Sequence, residues 1–91
     1  MHAFVQIALD SAREQEVFDR LQDSPEVKEV SVLFGEWDIL AKLELEDPEA
    51  LGTFILNKVR PMQGVRLTST MIVAKAGQKQ ENKILAQARQ R

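Results

Sequence analysis

Apolar and polar residues alternate from the start of the chain. In AFVQIAL, Ala3, Val5, Ile7 and Leu9 point one way and Phe4, Gln6 and Ala8 the other. Period-two alternation of this length predicts a strand. Asp10 and Ser11 stop it, and Ser11 with Glu14 fits a capping box, where hydroxyl and carboxylate each satisfy a free first-turn amide. The helix so opened turns Val17, Phe18 and Leu21 inward and spaces Glu16 and Arg20 as an i,i+4 ion pair outside. Asp23-Ser24-Pro25 ends it. VKEVSVLF and WDILAKLEL predict two further strands on either side of Gly35. Asp47 then serves as an N-cap with Pro48 as the first helical residue, where a missing N–H costs nothing. Leu51, Phe54, Ile55 and Val59 fall on one stripe of this second helix, and Pro61 closes it. VRLTSTMIVA predicts the fourth strand. The order βαββαβ is that of the ferredoxin-like plait, an α+β fold with an antiparallel four-stranded sheet and two helices on one face.

The short break FGEWD between strands two and three tests that reading. With Gly35 and Glu36 as the central residues of a type II′ hairpin turn, Phe34 faces Trp37, Val32 faces Ile39 and Val30 faces Ala41. On the other side Leu33 meets Asp38, and Glu29 meets Lys42 as a cross-strand charge pair. A one-residue slip would scatter both patterns. The expected helix-covered face takes Ala3, Val5, Ile7, Val30, Val32, Ile39, Ala41, Leu43, Leu67 and Met71. The other face takes Phe4, Gln6, Ala8, Ser31, Leu33, Leu40, Lys42, Thr68, Thr70, Ile72 and Ala74. Phe4, Leu33, Leu40 and Ile72 make that second face too apolar for a monomer surface, so a second subunit is expected to cover it.

Composition narrows the chemistry. Ninety-one residues allow one domain, divided here into a folded part, 1–76, and a basic tail, 77–91, read as an added strand or helix. After Ala74 five cations stand against one acid, a segment of +4 that leaves −6 for the first 74 residues of a chain totalling −2. An acidic body is unsuited to phosphate backbones. There is no cysteine, no tyrosine and a single histidine, His2, so no disulfide, thiolate or His-based triad is expected. Glu44, Glu46, Asp47 and Glu49 read as acids favouring a helix start, not as a metal site, and no phosphate loop or dinucleotide fingerprint appears. No catalytic residue, cofactor or metal is expected. With no secretory start and no stretch of ~18 apolar residues, the expected location is the cytoplasm and no membrane partner is expected.

Asp38 stands out within this inventory. It is a carboxylate at a strand end, beside a glycine turn whose free amides suit a carboxylate. Two readings stay open: an acid bonding its own loop amides, or a ligand anchor in which the carboxylate takes an ammonium and the turn amides a carboxylate, the two charged ends of an α-amino acid. Trp37 would add an apolar wall or pack against Phe34.

Gly35-Glu36-Trp37-Asp38, the helix beginning at Asp47-Pro48, and Gly64-Val65 followed by Thr68-Ser69-Thr70 together resemble the effector-binding domain of the Lrp/AsnC regulators of amino-acid metabolism. The similarity covers residues 2–75, and QKQENKIL at 78–85 is similar to a segment closing many members. The resemblance implies dimers formed through the sheets, a dimeric α/β-barrel-type assembly, and further association into octamers or similar rings. It implies small effectors, commonly amino acids, in clefts between dimers. Carried onto this chain, the ligand-binding positions are Gly35, Trp37, Asp38, Thr68, Ser69, Thr70 and Met71. Trp37 stands where the family carries Tyr or Phe, and nothing precedes strand one to hold the helix-turn-helix of full-length members. The resemblance therefore implies a stand-alone sensor that modulates transcription without binding DNA itself, with a DNA-binding relative as a co-assembly partner. Two alternatives are a dimeric α/β-barrel enzyme, disfavoured by the thin catalytic inventory, and a purely structural oligomerisation module.

Overall fold

The computed structural model of the protein describes residues 1–10 and 12–77. Its elements are β1 (His2–Leu9), α1 (Glu14–Gln22), β2 (Val27–Val32), β3 (Ile39–Glu44), α2 (Pro48–Phe54), a π-helical turn (Ile55–Val59) running on from α2, and β4 (Val65–Ile72). The strands form one sheet in the order β2-β3-β1-β4 with every neighbouring pair antiparallel. This is the expected ferredoxin-like plait. The secondary structure of the basic tail beyond residue 77 lies outside the described residues.

The core sits under the two central strands. Ala3, Val5 and Ile7 of β1 and Ile39, Ala41 and Leu43 of β3 are fully buried beneath Val17 and Leu21 of α1 and Leu51, Phe54, Ile55 and Val59 of the second helix. The edge strands are less covered: Val30 is half-buried and Val32 is 46% exposed, although both were expected under the helices. Two helices span the middle of a four-stranded sheet and leave its margins open. Among the described residues no helix is long and apolar enough to cross a membrane.

The helix ends differ in how far local chemistry dictates them. Asp47 caps α2 as expected, its Oδ1 accepting from the Ala50 amide at 2.8 Å with Pro48 in the first turn. The stripe from Leu51 to Val59 is buried, but the backbone widens at Ile55, so the Arg60 amide reaches back five residues to the Ile55 carbonyl at 2.9 Å. The start of α1 departs from expectation. The helix begins at Glu14 behind Arg13 with no side-chain cap, so Glu14 is a first-turn residue and not the distant arm of a capping box. Ser11 lies outside the described residues. Glu16 pairs with Arg13, at 3.0 Å, one turn back, where the sequence suggested Arg20.

The β2–β3 register matches expectation: Val32 faces Ile39, Ser31 faces Leu40, Val30 faces Ala41 and Glu29 faces Lys42. A bulge beyond Glu29 then lets Val27 face Leu43. The β4 register overturns part of the face assignment. Ala3 faces Ile72, Val5 faces Thr70 and Ile7 faces Thr68, while Phe4 faces Met71, Gln6 faces Ser69 and Ala8 faces Leu67. Directly opposed residues in an antiparallel pair share a face. Leu67 and Met71 therefore belong to the open face, and Thr68, Thr70 and Ile72 to the helix side, the reverse of the sequence reading. A one-residue difference in pairing transfers a whole strand's side chains to the other face.

Candidate functional site

The loop between β2 and β3 is the first component of the site. Its tight-turn expectation fails. The last rung closes through the Leu33 amide and the Asp38 carbonyl at 2.8 Å, leaving Phe34, Gly35, Glu36 and Trp37 as an open tip. Gly35 has φ of 151°, far from the value a type II′ turn needs. Nothing lies within 4 Å of where a Cβ would stand at Gly35, so the backbone angle alone calls for glycine there. Phe34 does not pack on Trp37 in the core; it is fully exposed at the tip. Trp37 is half-buried and is not among the side chains packed on the helix-side core.

Asp38 is fixed from three directions. Its amide donates to the Ile7 carbonyl at 2.9 Å, its carbonyl accepts from Leu33, and its Oδ2 accepts from the Leu9 amide at 2.7 Å. The carboxylate thus replaces a ladder acceptor at the end of β1. It serves neither its own loop amides nor a free surface role, and Oδ1 accepts no hydrogen bond among the described residues. A carboxylate–amide bond of this length is charge-assisted and holds the loop against the central strand.

The fourth strand supplies the remaining candidates, and the sheet distributes them. Thr68 faces Ile7, the residue that also accepts from Asp38, so Asp38 and Thr68 flank β1 at one end of the sheet. With strands about 4.8 Å apart, one intervening strand separates them by roughly 10 Å. Met71 faces Phe4, three residues or about 10 Å further along. Ser69 and Met71 look onto the open face, whereas Thr68 and Thr70 project on the helix side. Gly35, Trp37 and Asp38 are brought together; the four β4 residues are not brought to them within one protomer. Within one copy the backbones of the two groups stay roughly 10 Å or more apart.

The open face itself became more apolar than the sequence suggested. Phe4, Leu33 and Leu40 are half-buried, and Leu67 and Met71 are 52% and 44% exposed. Gln6, Ser31, Ser69 and the Glu29–Lys42 pair lie between them. Leu67 and the exposed Phe34 escaped the sequence reading, the first through the β4 register and the second through the assumed loop length. A groove of about 430 Å³ exists between the end of α1 and the π turn, lined by Arg20, Ser24, Asn57 and Lys58, but it lies on the helix layer, away from this loop. Among the described residues no cluster of His, Asp or Glu could hold a metal ion.

Comparison with known proteins bears on the fold and the family. The family model of the Lrp/AsnC ligand binding domain matches residues 2–81. An HTH-type transcriptional regulator of Pyrococcus furiosus is 37% identical over 73 residues, covering 77% of this chain and 49% of the regulator. The chain thus spans about half the length of the curated regulators it matches. A homocitrate synthase of Sulfurisphaera tokodaii is 45% identical over 56 residues, which are 62% of this chain and only 12% of that enzyme. Among solved structures, FFRP-DM1 superposes with a TM-score of 0.76 at 39% identity, covering 79% of this chain and 96% of that one. A transcriptional regulator of Neisseria meningitidis in complex with L-Met superposes at 0.77 with 25% identity, covering 86% of this chain and 52% of that one. The chain belongs to the Lrp/AsnC family, to which it contributes the ligand-binding domain.

Proposed function

We propose that this domain is a non-enzymatic sensor of amino acids or closely related small molecules, completed by assembly with further copies of itself, first as a dimer and then as an octamer or similar ring. The observation that carries the reading is the open sheet face. Phe4, Leu33, Leu40, Leu67 and Met71 form an apolar surface beside the Gly35–Asp38 loop, and a second copy is the occupant that its sheet geometry suits. The junction then unites what one protomer keeps apart: the loop of one copy and the β4 residues of another. Asp38 Oδ1 is the acceptor for an ammonium group, the amides around Gly35 suit a carboxylate, and Trp37 with Met71 walls the side chain. Ser69 supplies a hydroxyl on the same face, whereas Thr68 and Thr70 stand on the helix side of β4. The L-Met complex of the Neisseria regulator supports an amino-acid ligand.

Acting as a sensor, the domain would modulate transcription in the cytoplasm through its assembly state, alone or with a DNA-binding relative. The acidic body of residues 1–74 is unsuited to gripping a phosphate backbone. Ligand shifts the assembly only by its differential affinity for the assembled states. The regulators among the relatives support a non-enzymatic role. One observation favours a second reading, a purely structural module: the Asp38 carboxylate already spends one oxygen on Leu9.

Isothermal titration with the twenty amino acids, on wild type and Asp38→Asn, separates the two. Sensing predicts heat from at least one amino acid, weakened about tenfold or more in Asp38→Asn as its charge partner is lost. Trp37 is the only tryptophan, so its emission should move with the same ligand. No heat and no emission change with any of them would leave the structural module.

A further inference from the structure

We propose that the recess at the start of β4 is a second binding site, for a small oxyanion, independent of the sensing loop. The recess holds about 220 Å³ and is walled by Arg60, Val65, Arg66, Leu67 and Thr68. Arg60 stands at the end of the π turn and Arg66 on β4, so two separate elements bring an arginine to the wall of one recess. The pairing of β1 with β4 explains how. Ala8 faces Leu67 but Leu9 faces Val65, which leaves Arg66 as the extra residue of a bulge. Bulges disrupt the ladder locally and re-aim a side chain.

The charge environment makes this convergence informative. Residues 1–77 carry thirteen carboxylates against eight cationic side chains. Arg13 and Lys58 follow that excess and pair with Glu16 at 3.0 Å and Glu26 at 3.4 Å. Among the described residues Arg60 and Arg66 form no ion pair, as is also true of Arg20, Lys28, Lys42 and Lys75, but these two alone line one recess together. Asp10 is tied to the turn that opens β4, its amide donating to the Gly64 carbonyl at 2.9 Å, yet its carboxylate forms an ion pair with neither arginine. Each arginine has a bland role available: Arg60 complements a helix C-terminus, and Arg66 blunts an exposed edge strand. Neither role requires both to line one recess together with Thr68.

Two planar forks and a hydroxyl form a donor set for a carboxylate or phosphoryl group, which arginine binds bidentately. Val65 and Leu67 add apolar wall to a recess of about 220 Å³, which suits a small ligand. The ligand class is therefore a small acid or phosphoryl compound, and the site differs in charge preference from the Asp38 loop.

The test is an amide-resolved NMR titration of the full chain with inorganic phosphate and, in parallel, succinate, well below ~0.15 M ionic strength. Saturable shifts centred on Gly64, Arg66, Leu67 and Thr68 are expected with at least one probe. A response to phosphate alone assigns a phosphoryl ligand, and a response to succinate a carboxylate. Arg66→Gln and Arg60→Gln should each weaken binding about tenfold, Arg66→Lys should restore part of it, and Lys58→Gln should leave it unchanged. Shifts with neither probe, shifts spread over all cationic positions, or equal losses in Lys58→Gln would overturn the assignment. Amino-acid titration of Arg66→Gln reports on the Asp38 loop separately, so one site can fail without the other.

Discussion

Replacing Asp38 by alanine removes one defined interaction. The two backbone hydrogen bonds of residue 38, to Ile7 and Leu33, remain, and only the 2.7 Å bond from the Leu9 amide to Oδ2 is lost. A hydrogen bond to a charged group contributes about 1.5–3 kcal/mol, and an amide left unpaired in a buried place costs about 1–3 kcal/mol. Leu9 and Asp38 are both half-buried, so water recovers part of that cost. The expected destabilisation is about 1–2 kcal/mol, which for a domain of this size lowers Tm by several degrees, at about 4–8 °C per kcal/mol. Asp38→Asn keeps a carbonyl acceptor for Leu9 and should lose less than about 1 kcal/mol. Urea unfolding at one fixed protomer concentration measures both, because association adds its own concentration-dependent stability. An alanine variant within about 0.5 kcal/mol of wild type, the range of ordinary surface substitutions, would refute the idea that this carboxylate holds the loop to β1. The asparagine variant also separates structure from sensing: nearly full stability with weakened amino-acid binding is the expected combination.

Three further outcomes follow from the same geometry. Leu67→Glu places a charge on the open face; a two-fold interface counts it twice, so association should weaken by about 3 kcal/mol or more, a hundredfold in Kd, read by sedimentation across protomer concentrations. An unchanged dissociation constant would mean that Leu67 is not at the junction. Asp47→Ala removes the cap that accepts from the Ala50 amide and should cost about 1 kcal/mol in urea unfolding, without altering association. Gly35→Ala meets no neighbouring atom but must hold φ near 151°, so it should cost about 1–3 kcal/mol or rearrange the tip, visible as a shift in Trp37 emission; a variant identical to wild type would remove the backbone argument.

The sequence announced those parts of the fold where independent local signals agree. The β2–β3 register was legible because apolar alternation on one face and the Glu29–Lys42 pair on the other both fail if the strands slip. The α2 start was legible because Asp47 and Pro48 act within one turn. The face of β4 was not. Leu67 and Met71 compete there with Ile72 on the alternate positions, so periodicity alone does not say which set is inward, and the bulge at Arg66 leaves no trace in composition. The α1 start misled because Ser11 and Glu14 have the right spacing but the helix begins at Glu14 itself, with Arg13 in the capping position. At the site, the motif located Gly35, Trp37 and Asp38 together, while the division of Thr68 and Thr70 from Ser69 and Met71 depends on a register set by distant pairing. The bond from Leu9 to Asp38 spans 29 positions, and no local pattern encodes it.

The account rests on the open sheet face being covered by another copy of the chain. Sedimentation equilibrium from low to high micromolar protomer tests this directly. The predicted result is a mass that is a whole multiple of the 10.3 kDa protomer, two or more, falling toward a single protomer only on dilution or in Leu67→Glu. A constant mass of one protomer throughout, with or without amino acids, would contradict it.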